Sequence, residues 1–495
     1  MADTIDLLEL TDDPAQAVDK INSHNHAGGD GLGAQIPTAG LEDEAVTTAK
    51  IADGAVTAAK LEDGTITIDK VSEELIDEIT AASSGGTNAP GYYKEDVYFS
   101  ASGKTAITSP NRLWLNIGVK GYTLEQQLTF DITQDSSWDS KAELWQPGHD
   151  YVLDDVIYPS VEKTGYYYRC VIPGTSSSLT PEFPQVIGQT YNDGNCQWIC
   201  EYDNTVATNR KGKDFYIYAC EPETGTTPVL MLSANSTVPL RYTATNSRKI
   251  GGFHTLCADV GVITNAANPN ALSGYLAGDI LPTSVWDWIH RPASEPEGMV
   301  YHDGLDIWID IYLASWSGSY SNTPEDLRLE TKYGALSADG TSTEKFHCLK
   351  FEQIFGRQKK RLPYWREFIV FSIGSNQSTN VAGSADVNTT GGFSDTAGRR
   401  MISNIGCEDC CGNLWQWGAD VGSATTGGSN YANYYDANDK YVGGQTYGAV
   451  YRPFFGGHAN SGVFCGSRAS YWGDGALNLN WHLGARGVAE PKRLA

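Results

Sequence analysis

Residues 41–70 repeat one decapeptide three times: Leu41-Glu-Asp-Glu-Ala-Val-Thr-Thr-Ala-Lys50, Ile51-Ala-Asp-Gly-Ala-Val-Thr-Ala-Ala-Lys60 and Leu61-Glu-Asp-Gly-Thr-Ile-Thr-Ile-Asp-Lys70. Each unit opens on Leu or Ile, turns at an acidic pair or Asp-Gly, and offers a short strand such as Ala55-Val56-Thr57. About two large apolar side chains per unit are too few for one chain to offset its ordering entropy. Several chains wound about one axis would bury them. Val71, Leu75, Ile76 and Ile79 follow at helical spacing, which suits a short bundle that fixes the oligomer. The alternative is a disordered tether, since small and polar residues dominate.

Decapeptides of this kind resemble the repeats of phage tail-fibre shafts, which implies a homotrimer. Residues 1–40 are then a virion-attachment segment that meets other tail proteins, and 41–86 are the shaft and its short helix. Within the first segment, His24 and His26 are two apart, so an extended chain points both the same way. Three parallel chains with two imidazoles each would aim six at the axis, an octahedral nitrogen site for a transition metal. The pair resembles the His-x-His segments of phage spikes and fibres; the plainer reading is a polar connecting loop.

The 495-residue chain carries 60 acidic against 35 basic residues, a net charge of −25. That field repels nucleic acid and anionic membrane, so neither is an expected partner. The acidic N-terminus lacks the basic start and apolar run of a secretory signal. No stretch approaches the roughly 20 apolar residues that cross a bilayer. The expectation is assembly in a host cytoplasm, with the ten cysteines initially reduced.

Strand-like runs begin after Ser83-Ser-Gly-Gly86, at Leu113-Trp-Leu-Asn-Ile117 and Leu128-Thr-Phe-Asp-Ile132, and resume at Asp214-Phe-Tyr-Ile-Tyr-Ala219. They define a β-rich platform, 87–136 plus 204–240, interrupted by a module at 137–203 of different texture. In that insert Trp145, Tyr151, Tyr167 and Trp198 resemble the recurring aromatics of small chitin-binding-type modules. Such a resemblance implies a glycan partner, with Trp138, Tyr166 and Tyr168 as rings on which a sugar could stack. The competing reading makes the aromatics the core of a unit only about 65 residues long. Cys170, Cys196, Cys200 and Cys220 could pair outside the cell, in a connectivity that spacing does not fix.

From 241 to 495 the texture is α+β. A helix is expected over 344–355 with Phe346, Leu349 and Ile354 on one face, and a second with Pro363 in its first turn. Three stations follow one another: Lys360-Arg-Leu-Pro-Tyr-Trp-Arg-Glu-Phe368, Gly412-Asn-Leu-Trp-Gln-Trp417 and Gly484-Ala-Arg-Gly487. They resemble the C-type-lectin-like fold of the formylglycine-generating-enzyme superfamily. The resemblance implies a scaffold role for Arg361, Glu367, Trp415, Trp417 and Arg486, the last neutralising a buried carboxylate or capping carbonyls.

Within that superfamily, residues 455–488 look like the variable region of phage major-tropism-determinant proteins. Their receptor face is diversified by a reverse-transcriptase system while the framework stays fixed. Position by position, the resemblance implies that His458, Asn460, Ser461, Val463, Tyr471, Asp474, Asn478, Asn480 and His482 bind a host cell-surface receptor, protein or glycan. Gly456, Gly457, Gly466, Arg468, Trp472, Trp481, Gly484 and Arg486 would be framework. Candidate and framework positions interleave between Asn478 and His482, which suggests alternate outward and inward side chains.

Two other classes compete. Catalytic superfamily members carry a cysteine pair before the arginine equivalent to Arg468, where this chain has Cys465 alone. Cys407-Glu-Asp-Cys410-Cys411 could chelate zinc if Cys257 and Cys348 joined it, or serve an oxidase. A purely structural neck or capsid fibre is the third class. Residues 436–444 cluster oxygen donors that could hold calcium, though without the twelfth-position Glu of an EF-hand; an acidic turn is the plainer reading, and no cofactor is required. The reading adopted is a multidomain, non-enzymatic virion fibre: a trimeric repeat stalk, β-rich middle modules and an α+β C-type-lectin-like C-terminal domain.

Overall fold

The computed structural model describes residues 92–93, 98–111, 113–316, 327–423, 431–435, 441–447 and 450–492; for 92–93, 423, 431–435, 441–447 and 450 it describes the backbone alone. The decapeptide repeats, the 71–79 helix, His24, His26 and the oxygen donors of 436–440 lie outside the described residues.

The platform is organised by one strand. In Asp214–Cys220, successive side chains face opposite ways. Phe215, Ile217 and Ala219 enter a core shared with Leu113, Leu115, Ile132 and Trp138. Tyr216, Tyr218 and Cys220 enter another, with Trp286, Met299 and Trp308. A strand buried on both faces reads as a continuous apolar run, as this one does. It is flanked by Val229–Ser233 and Ser247–His254, and Trp286–Asp287 completes the sheet, all antiparallel. Residues 247–254 and 286–287 therefore belong to the platform sheet, which corrects the boundary placed at 241.

The insert holds a five-stranded sheet in the order Thr190–Asp193, Cys196–Tyr202, Tyr166–Ile172, Val156–Tyr158, Glu143–Leu144. Its core gathers Trp145, Tyr151, Ile157, Tyr168, Trp198 and three cysteines. The buried Asp193 carboxylate ties the two indoles together, accepting from Trp145 Nε1 at 2.8 Å and Trp198 Nε1 at 3.1 Å. Two of the three proposed sugar platforms are corrected here. Trp138 is buried in the platform core, edge-on to Phe215 at 5.1 Å, and its indole N–H donates to the Ile132 carbonyl. Tyr168 is equally buried, with its hydroxyl on the Pro184 carbonyl at 3.2 Å. Neither ring has a free face; Tyr166 is partly exposed and stacks on Tyr202.

In the C-terminal region the first helix is Cys348–Arg357, and its inward stripe is Phe351, Ile354 and Phe355. It starts later than expected because Lys345 takes a left-handed conformation, φ 50°, which a continuing helix does not allow. The second helix is Trp365–Phe371. Pro363 precedes its N-cap Tyr364 rather than occupying the first turn, and Glu367 accepts from the Tyr364 amide at 2.9 Å. Glu367 also takes both guanidinium nitrogens of Arg361, at 2.7 and 2.8 Å. Among the described residues no helix is long and apolar enough to cross a membrane.

Candidate functional site

The sheet that carries the nine proposed contact residues is built on Val450–Gly456. This strand pairs antiparallel with Trp415–Trp417 and with Gly466–Gly475, and Trp415–Trp417 runs parallel to Leu483–Gly484. Arg486 locks the arrangement from below. Fully buried, it donates to Gln416 Oε1 at 3.0 Å, to the Ile311 carbonyl at 2.6 Å, and to the carbonyls of Asp310 and Glu408. It caps carbonyls; its hydrogen bonds go to no carboxylate.

At the end of Val450–Gly456 the chain turns through Gly456 and Gly457, at φ 93° and 87°. A Cβ on Gly456 would lie 2.3 Å from the Cys410 carbonyl oxygen, and one on Gly457 2.6 Å from Cys465 Sγ. Only glycine fits both the conformation and the space. This buried turn launches the residues that follow onto the surface.

All nine proposed contact residues are exposed or partly exposed. Val463 is 72% exposed and Tyr471 49%. They are brought together by packing that stops just beneath them. Tyr471 stacks on buried Phe454 at 5.0 Å, and Phe454 packs edge-on against Trp417. His458 and His482 stack at 4.6 Å with Trp481 against both. Burial, and then the neighbouring His482, push His458 down to about 4. Asn478 donates to Asp474 at 2.5 Å, and the Ser461 hydroxyl accepts from the His458 amide at 3.1 Å. Neutral imidazoles, amides and hydroxyls leave this face rich in hydrogen-bonding groups with little fixed charge.

Three framework expectations are corrected. Arg468 is exposed, and Trp472 is 41% exposed with its ring against Trp365 at 6.4 Å. Residues 476–477 and 481–482 form turns and 478–480 no regular element, so there is no alternating strand and Leu477 and Leu479 are both exposed. Sequence reasoning also missed Phe464, a 75% exposed aromatic beside Val463. A large apolar residue in a Gly/Ser-rich loop was the available signal.

The cysteine alternatives meet a different environment. All ten cysteines are buried free thiols. Burial pushes Cys465 up to about 12, and its Sγ faces the His458 carbonyl at 3.5 Å. Cys348 packs in a different cluster from Cys257, Cys407, Cys410 and Cys411. Among the described residues, no three His, Cys, Asp or Glu side chains gather as a metal site.

A β-rich body carrying a C-type-lectin-like head defines a known class of protein. Solved structures of the Major Tropism Determinant U1 and I1 variants share the fold at a TM-score of 0.55, over 84% of this chain and 88% of theirs, with 21% and 20% identity. The family model of the Mtd second domain matches residues 188–287. The tail fiber receptor-binding protein of Bordetella phage BPP-1 is 32% identical over 317 residues, covering 59% of this chain and 75% of that protein. The chain belongs to this family of phage tail-fibre receptor-binding proteins.

Proposed function

We propose that the chain is a phage virion adhesin that grips a host cell-surface receptor through the face formed by residues 458–482. The observation that carries this reading is that the nine named side chains all reach solvent from a support of buried Gly456, Gly457, Cys465, Leu483 and Arg486. Exchange of the outer residues leaves that support untouched. Phe464 and Trp472 extend the same face with aromatic surface, which supplies contact area at low entropic cost.

The reading extends to the whole fibre. The decapeptides wind into a homotrimeric shaft, residues 1–40 attach it to other tail proteins, and His24 and His26 hold a transition metal on the axis. Three heads on one shaft raise avidity without tighter single sites. Calcium at 436–444 is part of the same proposal, as is exchange of the face by a reverse-transcriptase system. A reverse-transcriptase gene beside a near-copy of codons 455–488 would support the last point; a neighbourhood with neither would remove it. The adhesin itself is tested by competition: purified protein should block phage adsorption to the host, and protein carrying Tyr471→Ser and Asn460→Lys should not. Equal blocking by both would refute the assignment.

A further inference from the structure

In a chain of net charge −25, one cleft of about 1170 Å³ is lined by eight basic and six acidic side chains, a local excess of positive charge. It is lined by residues of the insert, of the platform and of the C-terminal region. Of its six acids, Asp139 accepts from the Leu240 amide at 2.9 Å and four others face cations or a histidine. Glu201 holds Arg169 at 2.7 Å, Asp214 holds His254 at 2.9 Å, Glu295 faces Arg328 at 3.6 Å and Glu297 faces Lys249 at 4.0 Å. Lys213, Arg291, Lys332 and Lys359 also line the cleft, and none forms an ion pair within 4.0 Å among the described residues, although Glu297 and Glu295 lie near enough to Arg291 to favour its charge.

Two of these cations rest on aromatic rings instead: Lys213 over Tyr202 at 4.3 Å, and Arg291 over Trp286 at 5.7 Å. The Arg291 Nε is buried with no hydrogen-bond partner. Burial alone lowers the Lys213 pKa, and Lys492 is lowered by burial and then by Arg291 and Lys359 nearby. Lys213, Lys332 and Lys359 are exposed and open to a ligand, and an anion entering among these like charges is favoured.

We propose that this cleft is a second binding site, for a surface polysaccharide chain bearing carboxylate or phosphate groups. The volume exceeds the roughly 300–1,000 Å³ of ordinary small-molecule pockets, so an extended chain fits it better than a single ion. Spaced anions along the chain meet the four cations. The site is separate from the 458–482 face; it rests on the adhesin reading only for the source of its ligand.

Affinity electrophoresis of the full-length protein tests it, with polygalacturonate, poly(glycerol phosphate), neutral dextran, inorganic phosphate and duplex DNA as probes. Retardation by polygalacturonate or poly(glycerol phosphate) is expected, the stronger of the two identifying carboxylate or phosphate as the natural group. It should weaken at about 0.5 M salt as charge is screened. The triple variant Lys213→Gln, Lys332→Gln, Lys359→Gln should lose at least about tenfold in affinity, whereas the Lys→Arg triple, which keeps the charges, should retain it. Undiminished binding by the Gln triple, equal retardation by dextran or DNA, or binding of inorganic phosphate alone would overturn the proposal. Tyr471→Ser, which tests the head, should leave this binding unchanged, so the two readings fail separately.

Discussion

Tyr471 lies over Phe454 with ring centroids 5.0 Å apart and planes 23° from parallel, one partner half exposed and the other buried. The pair marks the border between the part of the head that holds the fold and the part that can vary. Tyr471→Ala should cost about 1 kcal/mol, the scale of one aromatic stacking contact. Phe454→Ala should cost about 3–5 kcal/mol, because it opens a cavity beside Trp417. Denaturant unfolding of the two variants measures the contrast, and similar losses would place Tyr471 in the core.

The stacked imidazoles make the head sensitive to acid. An unfolded histidine takes its proton near 6.5, whereas folded His458 is held down to about 4. Between those values the unfolded chain binds more protons, so this contribution to stability is complete above about 6.5 and falls as pH is lowered towards 4. The melting temperature of the wild type should therefore drop more between pH 7.5 and 5 than that of the His458→Asn, His482→Gln double variant. Parallel curves would exclude the effect.

Asp409 works in the opposite direction. Burial, and then the Glu408 charge, push it up to about 7; one oxygen accepts from the Gly391 amide at 2.7 Å and the other is buried without a partner. The folded state thus binds the extra proton, and stability from this group is lost as pH rises through about 7. Asp409→Asn should gain stability relative to wild type at pH 8 and lose that advantage at pH 5, as read by unfolding at both values.

Arg486 supports the sheet rather than the receptor. Arg486→Met should destabilise by at least about 3 kcal/mol, since several buried carbonyls lose their donor. Thermal unfolding measures that cost, and a change below about 1 kcal/mol would mean that other groups satisfy those carbonyls.

Much of the head was legible because its stations are local in sequence and chemically specific. Arg361 and Glu367 are six residues apart and form one bidentate pair. Gly456-Gly457 signals a turn that only glycine can make. The platform boundary was hidden in Gly251-Gly252, a pair that reads as a turn but lies within a central strand. A Cβ on Gly252 would sit 2.6 Å from the Phe215 carbonyl oxygen and 2.7 Å from the Trp286 ring. Trp138 and Tyr168 were misread because an aromatic residue signals equally a core or a sugar platform; burial is decided by residues distant in sequence. Trp472 and Arg468 were assigned by position in a family pattern, which carries no information about the direction of a side chain.

The most direct test of the central claim is equilibrium binding of the purified protein to host envelopes, for wild type against the variant Asn460→Lys, Tyr471→Ser, Asp474→Lys, Asn480→Lys. All four positions reach solvent, so the melting temperature should shift by no more than about 4 °C. The predicted result is a folded protein whose affinity has fallen by at least about a hundredfold, on the scale of losing one or two interface hot spots. A folded variant that binds as tightly as the wild type would contradict the account.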